Sequence, residues 1–167
     1  LNVIGGCIGS TKPINGETGS STNCVYSING QIVSTSCGSF SQQFLQAGSY
    51  TIELIGSSAG GADTSVQTIE IVNYPTTNLP TLVSDSILCK TSPAEIKILN
   101  SQPDTYYTLR KATSSQTYGN SPIGNGDTIT FITTPVEASG NYVLIAKSTL
   151  APCSATFSDQ LTLTVEH

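Results

Sequence analysis

Methionine and tryptophan are absent from these 167 residues, and the single histidine, His167, is the last of them. Without an internal histidine, Ser-His-Asp and Cys-His catalytic constellations are excluded. No cysteine pair shows Cys-x-x-Cys spacing either, which leaves no zinc site. His167 reads as the remnant of a purification tag or a chance terminus. Charge is also scarce, at 10% of the chain. Helical surfaces carry many Glu, Lys and Arg, so polar positions filled instead by Ser, Thr, Gly and Asn favour an all-β protein. The six basic residues, Lys12, Lys90, Lys97, Arg110, Lys111 and Lys147, are scattered against eleven acids, for a net charge of −5. That balance argues against a nucleic-acid or anionic-membrane partner. No apolar run approaches the ~20 residues of a membrane span, so no membrane insertion is expected. No signal-peptide pattern opens the chain, and a start at Leu1 rather than Met reads as a segment of a longer protein.

What the chain does contain is alternation, twice over. In Ala47 to Val72, Gly48-Ser49-Tyr50 opens a run in which Tyr50, Ile52 and Leu54 alternate with polar residues. A loop of small residues, Gly56 to Asp63, separates it from a second alternating run, Val66 to Val72. Such patterning on both sides of a Gly/Ser/Asp loop predicts two antiparallel strands, each with one buried face. The plan returns in Ala138 to Val165, with Gly140-Asn141-Tyr142 opening the run and Leu161, Leu163 and Val165 closing it. Tyr50 and Tyr142 are 92 positions apart, as are Ile69 and Leu161. The chain is therefore expected to hold two copies of one unit: residues 1–73, a linker at 74–80 carrying Pro75 and Pro80, and residues 81–167.

In the first copy, residues 2–8 suit an edge strand and a weak strand is expected near Lys12–Gly16. Asn29-Gly30 sits between two alternating runs, the signal of a type I′ hairpin, whose central residues both need positive φ. Ser39–Leu45 supplies a further strand. In the second copy, strands are expected at Thr81–Leu88, Glu95–Leu99, Thr105–Lys111 and Thr128–Thr133, before the Tyr142 run. Short strands at intervals of 8–12 residues predict immunoglobulin-type β-sandwiches, two in tandem. Tyr50 and Tyr142, each opening a penultimate strand after Gly-x, are expected to be tyrosine corners. Their rings would lie in the core and their hydroxyls on nearby backbone.

Five cysteines in a small, low-charge β-protein point to an oxidising, extracellular setting. Their odd number leaves at least one thiol unpaired within the chain. Cys24 and Cys37 flank the Asn29-Gly30 turn and are expected to pair, leaving Cys7 over. Ideal hairpin register sets Cys24 opposite Thr35, so that pairing needs a bulge or an added twist in the second strand; the competing arrangement joins Cys7 to one of the two.

Chemistry is thinly represented. The acids stand singly, with Glu53 and Glu70 at outward strand positions and Asp63 and Asp127 in turns, so no carboxylate pair suggests itself and no enzyme is expected. Gly124-Asn125-Gly126-Asp127 lacks the oxygen ladder of a calcium loop and reads as a turn. Neither metal nor cofactor is expected. Lys97 and Lys147 alternate with inward residues and point outward, which disfavours an internal Lys–Asn amide. Tyr106-Tyr107 and Arg110 could line a sugar-binding face, although adjacent strand residues point to opposite faces and one tyrosine belongs to the core.

The run Ala47 to Val72 resembles the last two strands of a polycystic-kidney-disease-type (PKD) domain, an immunoglobulin-like module of bacterial surface proteins and secreted enzymes. It departs from that family at the Trp-x-Phe-Gly-x-Gly-like stretch, here Tyr26-Ser27-Ile28-Asn29-Gly30. The second copy resembles repeats of the large surface adhesins of gliding bacteria. Those repeats carry one cysteine just before the second strand and another in the final hairpin loop, and Cys89 and Cys153 occupy these positions. The resemblance implies a Cys89–Cys153 disulfide, export to the bacterial cell surface or medium, and a place in a string of similar modules. It implies non-catalytic spacer domains of an adhesin, supporting attachment and gliding motility, with the neighbouring domains of the same chain as partners and surface polysaccharide as a candidate one. The alternative is a set of accessory, glycan-binding modules in a secreted polysaccharide-degrading enzyme.

Overall fold

The computed structural model describes residues 1–83 and 85–166; His167 lies outside them. The chain forms two compact units, Leu1–Asn73 and Tyr74–His167, and no helix occurs among the described residues.

The first unit contains β1 (Gly6–Cys7), β2 (Thr11–Ile14), β3 (Asn23–Ile28), β4 (Gln31–Ser34), β5 (Phe40–Gln43), β6 (Gly48–Ser58) and β7 (Gly61–Val72). One sheet runs β1-β7-β6-β3-β4, with β1 parallel to β7, and β2 pairs with β5 opposite it. Between them lie Val3, Ile14, Tyr26, Phe44, Ile52, Leu54, Ile69 and Ile71, all buried. The expected first strand is divided: Asn2 bridges to Asn15 on one side, while Gly6 and Cys7 pair with Ile71 and Val72 on the other. Gly5 stands at the crossing, where a Cβ would collide with the carbonyl oxygen of Glu70. At the hairpin, Asn29 and Gly30 have φ of 48° and 78°, as a type I′ turn demands.

The second unit contains β8 (Thr81–Val83), β9 (Ile87–Cys89), β10 (Glu95–Ile98), β11 (Thr105–Lys111), β12 (Thr117–Asn120), β13 (Ile129–Ile132), β14 (Gly140–Ser148) and β15 (Ser154–Glu166). Its larger sheet runs β12-β11-β14-β15-β9, facing β13-β10-β8. Read from the parallel edge, β9-β15-β14-β11-β12 repeats the order β1-β7-β6-β3-β4 of the first unit. The repeat also holds at residue level, since Tyr50 is registered with Ile69 and Tyr142 with Leu161. The strand expected over Thr81–Leu88 is two strands in different sheets, β8 against β10 and β9 against β15. Residues 74–80 form no strand, but they pack on this unit: Thr76 N–H donates to Gln102 Oε1 (2.6 Å), and Leu79 lies against the core.

Candidate functional site

The groups singled out by the sequence fall into three places. The first is the Cys24–Cys37 bridge, with Cα atoms 4.9 Å apart. The required bulge is present: Ser27 opposes Ile32, but Tyr26 opposes Ser34, so Val33 is the extra residue. That single insertion advances the register by one, which sets Ser36 opposite the buried Cys24, and the chain beyond the end of β4 at Ser34 covers the one remaining position to Cys37.

The Cys89–Cys153 bridge does not form. Cys89 is a free, exposed thiol beside Glu166, whereas Cys153 is buried next to Ser154, at the other end of β15. At ~3.3 Å per residue those ends are roughly 40 Å apart along the strand, against the ~4.4–6.8 Å between Cα atoms that a disulfide tolerates. Cys7 is not the spare thiol either: it and Cys153 are each disulfide-bonded. Alkylation of the native protein with iodoacetamide is therefore expected to modify Cys89 alone. Modification at Cys7 in place of Cys89 would contradict the arrangement.

The second place is the pair of tyrosines. Tyr142 is fully buried, its hydroxyl donates to the Ala138 carbonyl (2.6 Å), and its ring meets Tyr118 edge-on at 5.4 Å. Burial, reinforced by the neighbouring Tyr118 hydroxyl, pushes its pKa up to about 12. Tyr50 repeats the hydrogen bond, to the Gln46 carbonyl (3.0 Å), but its ring is only partly buried. Phe44 fills the core position beneath, and Tyr50 packs on its edge at 4.7 Å instead.

The third place is the outer face of β11 and β14. Tyr107 and Leu109 point into the core, so Tyr106, Thr108 and Arg110 point out. Tyr107 Oη accepts from Gln102 N–H (2.9 Å), and burial raises its pKa in spite of that bond. Across the ladder Lys147 opposes Tyr106, with its ammonium 5.8 Å from the ring centroid. Arg110 opposes Val143, and its Nε is buried with no hydrogen-bond partner. Lys147 was not expected here, because the cross-strand register that brings it over Tyr106 is set by tertiary pairing.

The acids stay apart. Among the described residues no three His, Cys, Asp or Glu side chains converge on a point, and the ion pair found is the exposed Lys97–Glu95 contact (3.3 Å). Asp127 accepts Ser101 N–H and Oγ through its carbonyl in the Gly124–Asp127 turn.

No family model matches the chain, and no curated protein matches it. Solved structures do. The Clostridium thermocellum CbhA fibronectin(III)-like modules align at 10% identity and a TM-score of 0.55, over 98% of this chain and 92% of that one. Both units are immunoglobulin-like modules. The chicken CNTN1 FN1–FN3 domains align at 11% identity and a TM-score of 0.55, over 98% of this chain and 64% of theirs. At such identities the likeness concerns the fold alone.

Proposed function

We propose that the two modules are non-catalytic spacers in a long, surface-anchored or secreted bacterial adhesin of the kind used in attachment and gliding. The observation that carries this reading is the duplication of one five-stranded sheet order, β1-β7-β6-β3-β4 and β9-β15-β14-β11-β12, whose recurring residues Tyr50 and Tyr142 both serve the fold. A spacer needs length and resistance to unfolding outside the cell. Repeated modules supply length, and disulfides limit how much chain is released when a module opens. The PKD-like run Ala47 to Val72 and the low charge accord with export. The sequence of the parent polypeptide tests the proposal: many further units with the Gly-x-Tyr strand are expected on either side. A glycoside hydrolase or lyase domain adjoining these residues would favour accessory modules of a polysaccharide-degrading enzyme instead.

A further inference from the structure

The outer face of β11 and β14 has features that a spacer does not require. Two of the six cations of the chain, Arg110 and Lys147, point out from this face, although the net charge is −5. Neither of the two is paired with a carboxylate among the described residues. Between Arg110 and Lys147 the outward-facing side chains are Thr108, Val143 and Ile145, which are only 1%, 7% and 9% exposed. Residues facing away from the core are shielded this well when long neighbours lie across them. Tyr106 and Lys147 at one end and Arg110 at the other are the long outward side chains of the two strands. Arg110 is consequently partly buried and its Nε has lost water without gaining an acceptor. That buried Nε donor carries its desolvation cost unpaired, and the half-buried side chain that bears it is held in place on this face.

We propose that this face binds an acidic polysaccharide, a polyuronate, with its carboxylates on Arg110 and Lys147 and a pyranose ring against Tyr106. Arg110 opposes Val143, four residues from Lys147, so the two cations are separated by ~13 Å along the strands. A few linked sugars cover that span and deliver more than one carboxylate. The Tyr106 ring, partly exposed and beside a hollow of about 260 Å³ that Pro152 and Ser154 help to line, offers an apolar plane next to hydroxyl groups. A polyuronate carries a carboxylate on every sugar together with the apolar faces of its pyranose rings, so one short stretch meets both cations and the Tyr106 ring. A nucleic acid does not fit, because its binding calls for many clustered cations on its phosphates, and this face presents two that stand ~13 Å apart. The proposal goes beyond the spacer reading and stands whether or not the parent protein is an adhesin.

Affinity electrophoresis through gels containing sodium polygalacturonate tests it, with fully methyl-esterified pectin as the uncharged counterpart. Retardation by polygalacturonate is expected, weakening as salt is raised, with little or none by the ester. Arg110→Gln and Lys147→Gln should each weaken binding on the order of tenfold, as expected for loss of a charge-assisted hydrogen bond. Tyr106→Ala should weaken it while leaving the salt dependence in place. Lys97→Gln, which removes a cation already paired with Glu95, should leave it unchanged. Thermal melts of each variant show whether the fold persists. The proposal is overturned by any of three results: no retardation, equal retardation by the ester, or Arg110→Gln and Lys147→Gln variants that remain folded and bind as the parent does. Equal retention by a DNA oligonucleotide would reduce the effect to unselective polyanion attraction and also overturn it.

Discussion

Replacing Cys24 and Cys37 together by alanine is expected to destabilise the first unit by about 3 kcal/mol, the loop-entropy value for a closed loop near this length. The bridge spans a sequence separation of 13. It fastens the connection between β4 and β5 to the core strand β3, and little else can do so. β4 is an edge strand of four residues whose Ile32 and Val33 are 67% and 38% exposed, so it contributes little burial of its own. In a unit this small, ~3 kcal/mol is a large part of a net stability of ~5–15 kcal/mol. Hydrogen exchange localises the effect: amides of β3 and β6 should lose protection on the order of a hundredfold, since ~1.4 kcal/mol corresponds to each factor of ten. Unchanged protection there would show that the bridge does not brace the sandwich.

Tyr142→Ala should cost the second unit about 3–5 kcal/mol, the usual penalty for truncating a buried aromatic ring. Tyr142→Phe keeps the ring against Tyr118 and should cost only about 1 kcal/mol, the worth of the bond to Ala138. Tyr26 supplies the contrast. It is equally buried but its hydroxyl has no partner, so Tyr26→Phe should be neutral or stabilising. The pH dependence has a definite sign. The folded pKa of Tyr142 is raised from 10.0 to about 12, so unfolding is favoured by ionisation of the unfolded tyrosine. Its contribution is fully present below pH ~10 and is lost as pH rises towards ~12. Denaturant melts of wild type and Tyr142→Phe across that range should converge as pH rises. A constant gap between them would refute the assignment.

Much of this fold was legible because its signals are local. Alternation placed the long strands, Asn29-Gly30 placed the hairpin, and the 92-residue offset of Tyr50 and Tyr142 announced the duplication. The divided first strands were not legible, since whether Gly6 pairs with Ile71 or Asn2 with Asn15 depends on packing between sheets. Cysteine pairing divides in the same way. Cys24 and Cys37 are close in sequence across one hairpin, so a one-residue bulge at Val33 and the turn of chain beyond β4 are enough to join them. Cys89 and Cys153 were matched by resemblance, and only the run of β15 separates them. At the outer face of the second unit, alternation set one of Tyr106 and Tyr107 in the core without saying which, and the structure shows that it is Tyr107. The placing of Lys147 beside Tyr106, and of Arg110 beside Val143, needed the strand register, which no periodicity within one strand specifies.

The spacer reading is tested most directly in cells that make the parent protein, by exchanging residues 1–167 for an unrelated tandem of two immunoglobulin-like modules. Attachment to a surface under flow is then compared among the parent, the exchange and a plain deletion of the segment. The account predicts that the exchange restores attachment lost on deletion, because length and mechanical resistance are what these modules supply. Attachment that stays lost after the exchange, with the altered protein displayed at the parent level, would contradict it.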